Sequence, residues 1–414
     1  MLDTIYIGLT GLTGFSDGLK NISNNVANVN TPGFKGTTLK FQDLFYQAQA
    51  GGGNGSDQSG MFLGSGMSAG GSSVVFRQGD VKSTGNDLDA AVDGNGFFVL
   101  RSDDGKTTFT RDGEFSIDAG GFLVARSGKA RVQGLEGDKL VDINVRDLQV
   151  SPAKVTTTIK FTGNLSVDDS DNTQVVHGIP VFDARGGNNP LTVTFTKNTG
   201  TSAVPRSWKI VVDDAAGNLV DDTGEIRFNG DGSPQPGFES HSFVFTPIGG
   251  GDPVTLTLDF GIAGGFSGAT NFSAGGDSTL ALASQDGLAA GALTKTTFDA
   301  DGKMALTYSN GQNASHGQLA LAWFDFLQGL QPSGQASFEN NTGLAMRLGA
   351  PNTSLFGGVK AGNLEASNVD LSQEFTDLIV IQRGFQGSSQ VVTVANEMLQ
   401  QLLDIQRGGG GGGA

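Results

Sequence analysis

The chain has 414 residues, 65 glycines, no cysteine and a net charge of −16, and only 16% of its residues are charged. That length exceeds what one hydrophobic core can organise and asks for roughly two to four domains. So few cations cannot replace the counterions of a phosphate backbone, which excludes nucleic acid as a partner, and the missing cysteines exclude disulfides, thiol nucleophiles and thiolate metal sites.

The first predicted element is a helix from about Asp3 to Val29, ended by Asn30-Thr31-Pro32-Gly33. Ile5, Leu12, Leu19 and Val26 recur every seven residues, and Phe15, Ile22 and Val29 follow the last three at a spacing of three. This is a narrow apolar seam that a single helix cannot bury. Asn24, Asn25 and Asn28 are poor helix formers, so the helix should be weak in isolation. After an aromatic stretch with Phe41, Leu44 and Phe45, residues 51–71 are rich in Gly and Ser and read as a flexible linker or a loosely ordered hairpin.

From Val74 the period changes to two. Short strands such as Phe97-Phe98-Val99-Leu100 alternate with Asp-Gly and Asn-Gly pairs that supply the positive φ of tight hairpins. A second β region runs from about Val145 to Ser284 and a third from Gly291 to about Gly362. The chain closes with one long predicted helix, Leu371 to Ile405. There Leu371, Leu378, Phe385, Val392 and Leu399 repeat every seven residues, with Ile381, Ala395 and Leu402 in the offset position.

These patterns predict a mixed, mainly β fold in which the N- and C-terminal α-helices pair as a coiled-coil-like stem and two nested β-rich domains lie between them. The expected parts are an N-terminal stem helix (1–32), a Gly/Ser-rich connection (33–72), a discontinuous first β domain (73–145 plus 285–363), an inserted outer β domain (146–284) and a C-terminal stem helix (364–407). The Gly-rich tail 408–414 reads as a linker scar rather than native structure.

No motif points to chemistry. Gly64-Ser65-Gly66-Met67-Ser68-Ala69 has the letters of a dinucleotide-type loop, but glycines and serines follow where a helix N-terminus must hold the phosphates. Asp168, Ser170 and Asn172 have calcium-loop spacing, yet Thr173 and Ile179 stand where Gly and a bidentate Glu are needed. His177, His241 and His316 are scattered without a companion motif, and Trp208 and Trp323 read as core anchors. The chain is therefore expected to be no enzyme and to hold no cofactor or metal. No apolar run approaches the ~20 residues of a membrane span, so no membrane insertion is expected. The first residues lack a basic stretch and an unbroken apolar stretch, so export, if it occurs, is expected to keep the first helix.

The run from Ile22 through Asn24, Asn25, Asn28, Asn30, Thr31, Gly33 and Phe34 to Lys35 resembles the N-terminal signature of the bacterial flagellar rod and hook axial proteins. Val92 to Leu100 with Phe109 to Phe115 resembles the first β-domain core of that family, and Leu364 to Leu371 with Ile381 to Gln386 resembles its C-terminal signature. Phe41-Gln42-Asp43-Leu44-Phe45 and the large middle insert are similar to the hook-type members; Gly384 and Gly387 depart from the helix formers expected there. The resemblance implies a homopolymer, a curved tube whose terminal helices line an export channel and which transmits torque as a universal joint. It further implies rod, hook-cap and hook–filament junction proteins as partners, and passage through the flagellar type III export apparatus to the cell exterior. The alternatives are a rod or basal-body axial protein of the same family and, from a different class, a secreted β-domain adhesin.

Overall fold

The computed structural model describes residues 2–44, 46–49, 61–169, 172–199, 204–247 and 250–408. The chain divides into two compact units, the first made of 1–146, 296–305 and 315–414 and the second of 147–295 and 306–314. The Gly-rich tail from 409 onward and the middle of the expected linker (50–60) lie outside the described residues.

In the first unit, helix α1 spans Leu2–Ala27 and helix α2 spans Leu371–Gly408. The two pack on each other. Between α1 and the β region, Thr37–Asp43 pairs antiparallel with Met67–Val74, from Thr37↔Val74 to Asp43↔Met67. Much of the expected flexible connection is thus a hairpin, and it packs on α1. The physical reason is local: Phe41 packs at a tilt against Phe15 with ring centroids 5.8 Å apart, and Phe41 and Met67 of the hairpin cover the bare backbone at Gly14.

The rest of the first unit is built on a ten-stranded sheet. Phe97–Arg101 lies at its centre, paired with Thr107–Thr110 on one side and with Arg131–Glu136 and Leu321–Phe324 on the other. Phe97, Val99, Phe109, Phe324 and Phe338 form one core on this sheet, while Phe98 packs edge-on against Phe115 at 5.0 Å. Two short ladders bring the chain ends back together: Ala90–Asp93 pairs with Gly358–Ala361, and Val81–Ser83 with Asn363–Glu365. Long-range strand pairing therefore carries the end of α1 and the start of α2 to the same place.

The second unit places a meander of Thr173–Ile179, Leu191–Lys197, Ser207–Asp213 and Leu219–Arg227 and a five-stranded sheet around one shared core. Leu191, Val193 and Phe195 turn into that core while the threonines between them face outward, as the period of two requires. Trp208 is fully buried there, and Phe161, Phe195 and Phe260 pack within 5.5–5.9 Å of one another. The unit extends past the expected return point at 285, because Gly291 and Ala292 pair with Ser151 and Val150.

Asp112 follows the central strands and is 7% exposed. Burial pushes its carboxyl up to about 6, although the Glu114 backbone N–H donates to Oδ1 at 3.0 Å. An unfolded chain loses this proton near 3.8, so between the two values the folded state holds a proton that the unfolded state has released. The group's stabilising contribution is present at pH 4 and is withdrawn as pH rises through 6. Asp112→Asn keeps the acceptor and removes the charge; it should be on the order of 2 kcal/mol more stable than wild type at pH 8 and equal to it near pH 4. Thermal melts across that range check this, and a difference independent of pH would refute it.

Candidate functional site

The helix pair is closer than its large apolar residues would allow. A Cβ placed on Gly8 would lie 2.6 Å from Cγ2 of Val392, one on Gly11 would lie 2.5 Å from Oγ of Ser388, and one on Gly18 would lie 2.6 Å from Cδ1 of Ile381. In the opposite direction, Gly384 of α2 leaves room for the Phe15 ring, which a Cβ there would meet at 2.4 Å. The seam of α1 therefore runs through Gly8, Gly11, Phe15, Gly18, Ile22 and Asn25. Ile22 is buried as expected; Phe15 is half-buried against Gly384. Ile5, Leu12, Leu19, Val26 and Val29 are half-buried and flank this line instead of forming it. Hydrophobic periodicity sees large side chains only, and here the contact is made where they are missing.

On α2, Ile381 and Ala395 are buried and Leu378, Val392 and Leu399 are half-buried, all on the side facing α1. Leu371, Phe385 and Leu402 were expected beside them but are 38%, 37% and 52% exposed. A straight helix turns 3.6 residues, so a strict seven-residue repeat drifts off a flat contact by about 20° per heptad. The contact line accordingly passes through Gly384 and Ser388 where the heptad names Phe385.

Below the pair lies a polar junction built from the Asn-rich run. Asn25 is buried; its amide donates to the Thr37 carbonyl at 2.8 Å and to Glu374 Oε1 at 2.9 Å, and its Oδ1 accepts from the Thr37 N–H at 3.0 Å. One side chain thus joins α1, the hairpin and α2. Asn21 reinforces it, donating to the same carbonyl at 2.7 Å. Asn28 and Thr31 close the end of the helix: Asn28 Nδ2 donates to the Asn24 carbonyl at 2.9 Å and Thr31 Oγ1 donates to Asn28 Oδ1 at 3.2 Å. Asn24 and Asn30 are exposed, and Phe34 is half-buried. Gly33 has φ +67° and sits where a Cβ would come within 2.3 Å of the Asp112 nitrogen, so only glycine fits. Its N–H donates to the Glu365 carbonyl at 2.8 Å.

Glu365 is the centre of the junction and is fully buried. Lys35 Nζ donates to its Oε1, the Gly79 N–H donates to the same oxygen at 2.9 Å, and Arg111 Nη1 donates to Oε2 at 3.0 Å. Lys35 also reaches the Arg77 carbonyl at 2.9 Å, and Arg111 reaches the Gly94 carbonyl at 2.7 Å while its guanidinium lies 5.1 Å over the Phe97 ring. Burial pushes the Lys35 and Arg111 values down, and the Glu365 charge beside them opposes that shift. Asn368 completes the lock, accepting from the Gly36 N–H at 2.8 Å and donating to the Val75 and Arg77 carbonyls at 2.7 and 2.8 Å. Sequence reasoning missed this triad. The available signal was that Lys35, Arg111 and Glu365 fall one inside each of the three runs that resemble the family, Lys35 being the one charge of its run.

The other candidate residues do not converge. His177 and His316 are exposed, and His241 pairs with Asp221 at 2.7 Å between neighbouring strands. Trp323 is half-buried and stacks on Phe97. Among the described residues, no three His, Cys, Asp or Glu side chains group as metal ligands, and no helix is long and apolar enough to cross a membrane.

Four family models match the chain in order: the flagella basal body rod protein over residues 5–35, the flagellar hook protein FlgE/F/G D1 domain over 91–174, the flagellar basal body protein FlaE D2 domain over 144–288, and the flagellar basal body rod FlgEFG protein C-terminal over 360–405. The flagellar hook protein FlgE of Borreliella burgdorferi strain B31 is 30% identical, over 98% of this chain and 100% of its own length. That of Treponema pallidum strain Nichols is 30% identical over 98% and 100%, and that of Escherichia coli K12 is 28% identical over 96% and 98%. The two terminal matches enclose the helices and the Lys35–Glu365 lock, and the middle match falls on the second unit, so with relatives aligned over their whole length the chain belongs to the flagellar hook protein family.

Proposed function

We propose that this protein is a structural subunit of the bacterial flagellar hook and works by binding copies of itself. Its helical stem would line a curved tube that encloses the export channel and passes torque from rod to filament as a universal joint. Rod, hook-cap and hook–filament junction proteins are its proposed neighbours. It would reach the cell exterior through the flagellar export apparatus. We assign it no catalytic role.

One observation carries the reading. Outside the contact with α1, the large apolar residues Phe375, Ile379, Val380, Val394, Met398 and Leu403 of α2 are all between 42% and 62% exposed. On α1, Tyr6 and Leu9 are 56% and 54% exposed. A patch of this kind on a soluble chain marks an interaction surface, and at about 25 cal/mol per Å² its burial is a large driving force. The glycine seam explains why these side chains remain free: the two helices meet through their smallest residues and leave the larger ones for neighbours.

Paired Ile379→Asp and Val380→Asp changes should leave both units folded by circular dichroism and raise the concentration needed for polymerisation about 100-fold or more, since each buried unpaired charge costs several kcal/mol. Electron microscopy and sedimentation check this, and wild-type tubes from the double variant would refute the reading. The junction makes a separate prediction. Glu365→Gln leaves Lys35 and Arg111 buried without their counter-charge and should destabilise the first unit by about 3–5 kcal/mol in denaturant titration, while the transition of the second unit stays in place. An unchanged first transition would mean the triad does not hold the stem.

A further inference from the structure

A second feature of the stem has no partner within the chain. Asn21, Thr37, Phe41, Glu374, Asp377 and Val380 line a pocket of about 270 Å³ where α1, the Thr37–Asp43 strand and α2 meet. Its walls are of two kinds. Phe41 and Val380 offer apolar surface, whereas Glu374 and Asp377 place two carboxylates within one turn of α2. Glu374 accepts from Asn25, and Asp377 accepts from Gln373 Nε2 at 2.9 Å, so both are held by neutral amides. Among the described residues no cation forms an ion pair with either. Burial pushes the Glu374 carboxyl up, and Asp377 adds to that shift. A pocket lined by apolar side chains and by two carboxylates without an ion-pair partner fits a long cationic side chain, with its methylenes on the apolar walls and its head on the acids.

The stem itself carries a suitable group. Arg383 lies six residues beyond Asp377 on the same helix, is exposed, and forms no ion pair among the described residues. Ile379, Val380, Gln386 and Gly387 occupy its helical neighbour positions, so no acid on α2 can reach it at one-turn spacing. It stands beside the exposed apolar residues Ile379 and Val380. Covering that face with another protein would bury the guanidinium as well, and a buried guanidinium needs a carboxylate. Lys20, by contrast, is already paired with Asp17 at 2.9 Å.

We propose that the pocket at Glu374 and Asp377 receives the Arg383 side chain of a second copy of this chain. This rests on the self-assembly reading and adds the register: one stem docks on the next with Arg383, in the first half of its α2, opposite the first turns of its neighbour's α2. A bidentate Arg–carboxylate contact would fix that register by geometry as well as charge.

A charge swap tests the register. Asp377→Arg and Arg383→Asp lie on exposed positions, and each alone should raise the critical concentration for tube formation roughly 10-fold or more, while the combined variant should recover to within about 3-fold of wild type. The milder Asp377→Asn and Arg383→Gln guard against misfolding and should each show a smaller loss of the same sign. Tubes at the wild-type concentration from both charge-reversed single variants, or a combined variant no better than the worse single one, would overturn the contact. In either case wild-type tubes, lost on Ile379→Asp and Val380→Asp, would leave self-assembly standing. Failure of the wild-type protein to form tubes under any condition would overturn both.

Discussion

A carboxylate with no exposure to water is stable only if its charge is answered on every side, and Glu365 is answered by residues from three distant parts of the chain. Lys35 follows α1, Arg111 directly follows the sheet strand Thr107–Thr110, and Glu365 itself ends the strand that leads into α2. Desolvating such a cluster is costly, and continuum reasoning gives it no great surplus over an apolar core of equal volume. Its value lies in what it forbids. An apolar contact tolerates sliding, whereas a carboxylate shared between an ammonium and a guanidinium has one low-energy arrangement. The exit of one helix and the entry of the other are thereby pinned to the same point of the sheet. Gly33 and Asn368 then add backbone-level contacts that depend on that point being fixed.

Above this anchor the physics changes. From Asn25 outward the helices touch through Gly18, Gly11 and Gly8, and the residues they meet on α2 are Ile381, Ser388 and Val392. Close approach gains dispersion contacts along the seam but buries little apolar area per turn. The stem is thus rigid at its base and lightly held along its length, a gradient that follows directly from where charge, amides and glycines fall in the sequence.

Much of this was legible beforehand, and the failures have causes. The terminal helices could be read from periodicity because large apolar residues recur on them, and the strands of the middle from alternation and Asx-Gly turns. Core membership of Trp208 followed from its strand context. The register of the helix contact was not legible on α1, because a hydrophobic scale scores Gly8, Gly11 and Gly18 as gaps when they are the contact. On α2 large side chains do mark the contact, since Ile381 and Val392 fill the gaps at Gly18 and Gly8, and Ala395 is buried on the same side. Residues 67–74 read as part of a loose connection because Gly and Ser dominate them, yet they form a strand that pairs with Thr37–Asp43 and packs on α1, contacts that local propensity does not encode. The triad was invisible for a simpler reason: pairing between residues 35, 111 and 365 is a tertiary fact, and no local pattern encodes it.

The glycines of the seam also bear on why such a stem belongs in an assembly. Each glycine within a helix costs about 1 kcal/mol of intrinsic helicity relative to alanine, and α1 carries four of them between residues 8 and 18. Long helices in water owe their stability mainly to packing, and here the packing available within one chain is a line of small contacts with an apolar face left over. In a polymer of this chain, folding of the stem and covering of that face would become one process. On the self-assembly reading, the helices would gain full stability only as neighbours supply the missing surface, and a subunit that has not yet joined others would keep its binding face in a weakly held element. A seam of larger residues would have made a sturdier monomer, but it would have held the helices further apart and consumed the side chains that a neighbour needs to find.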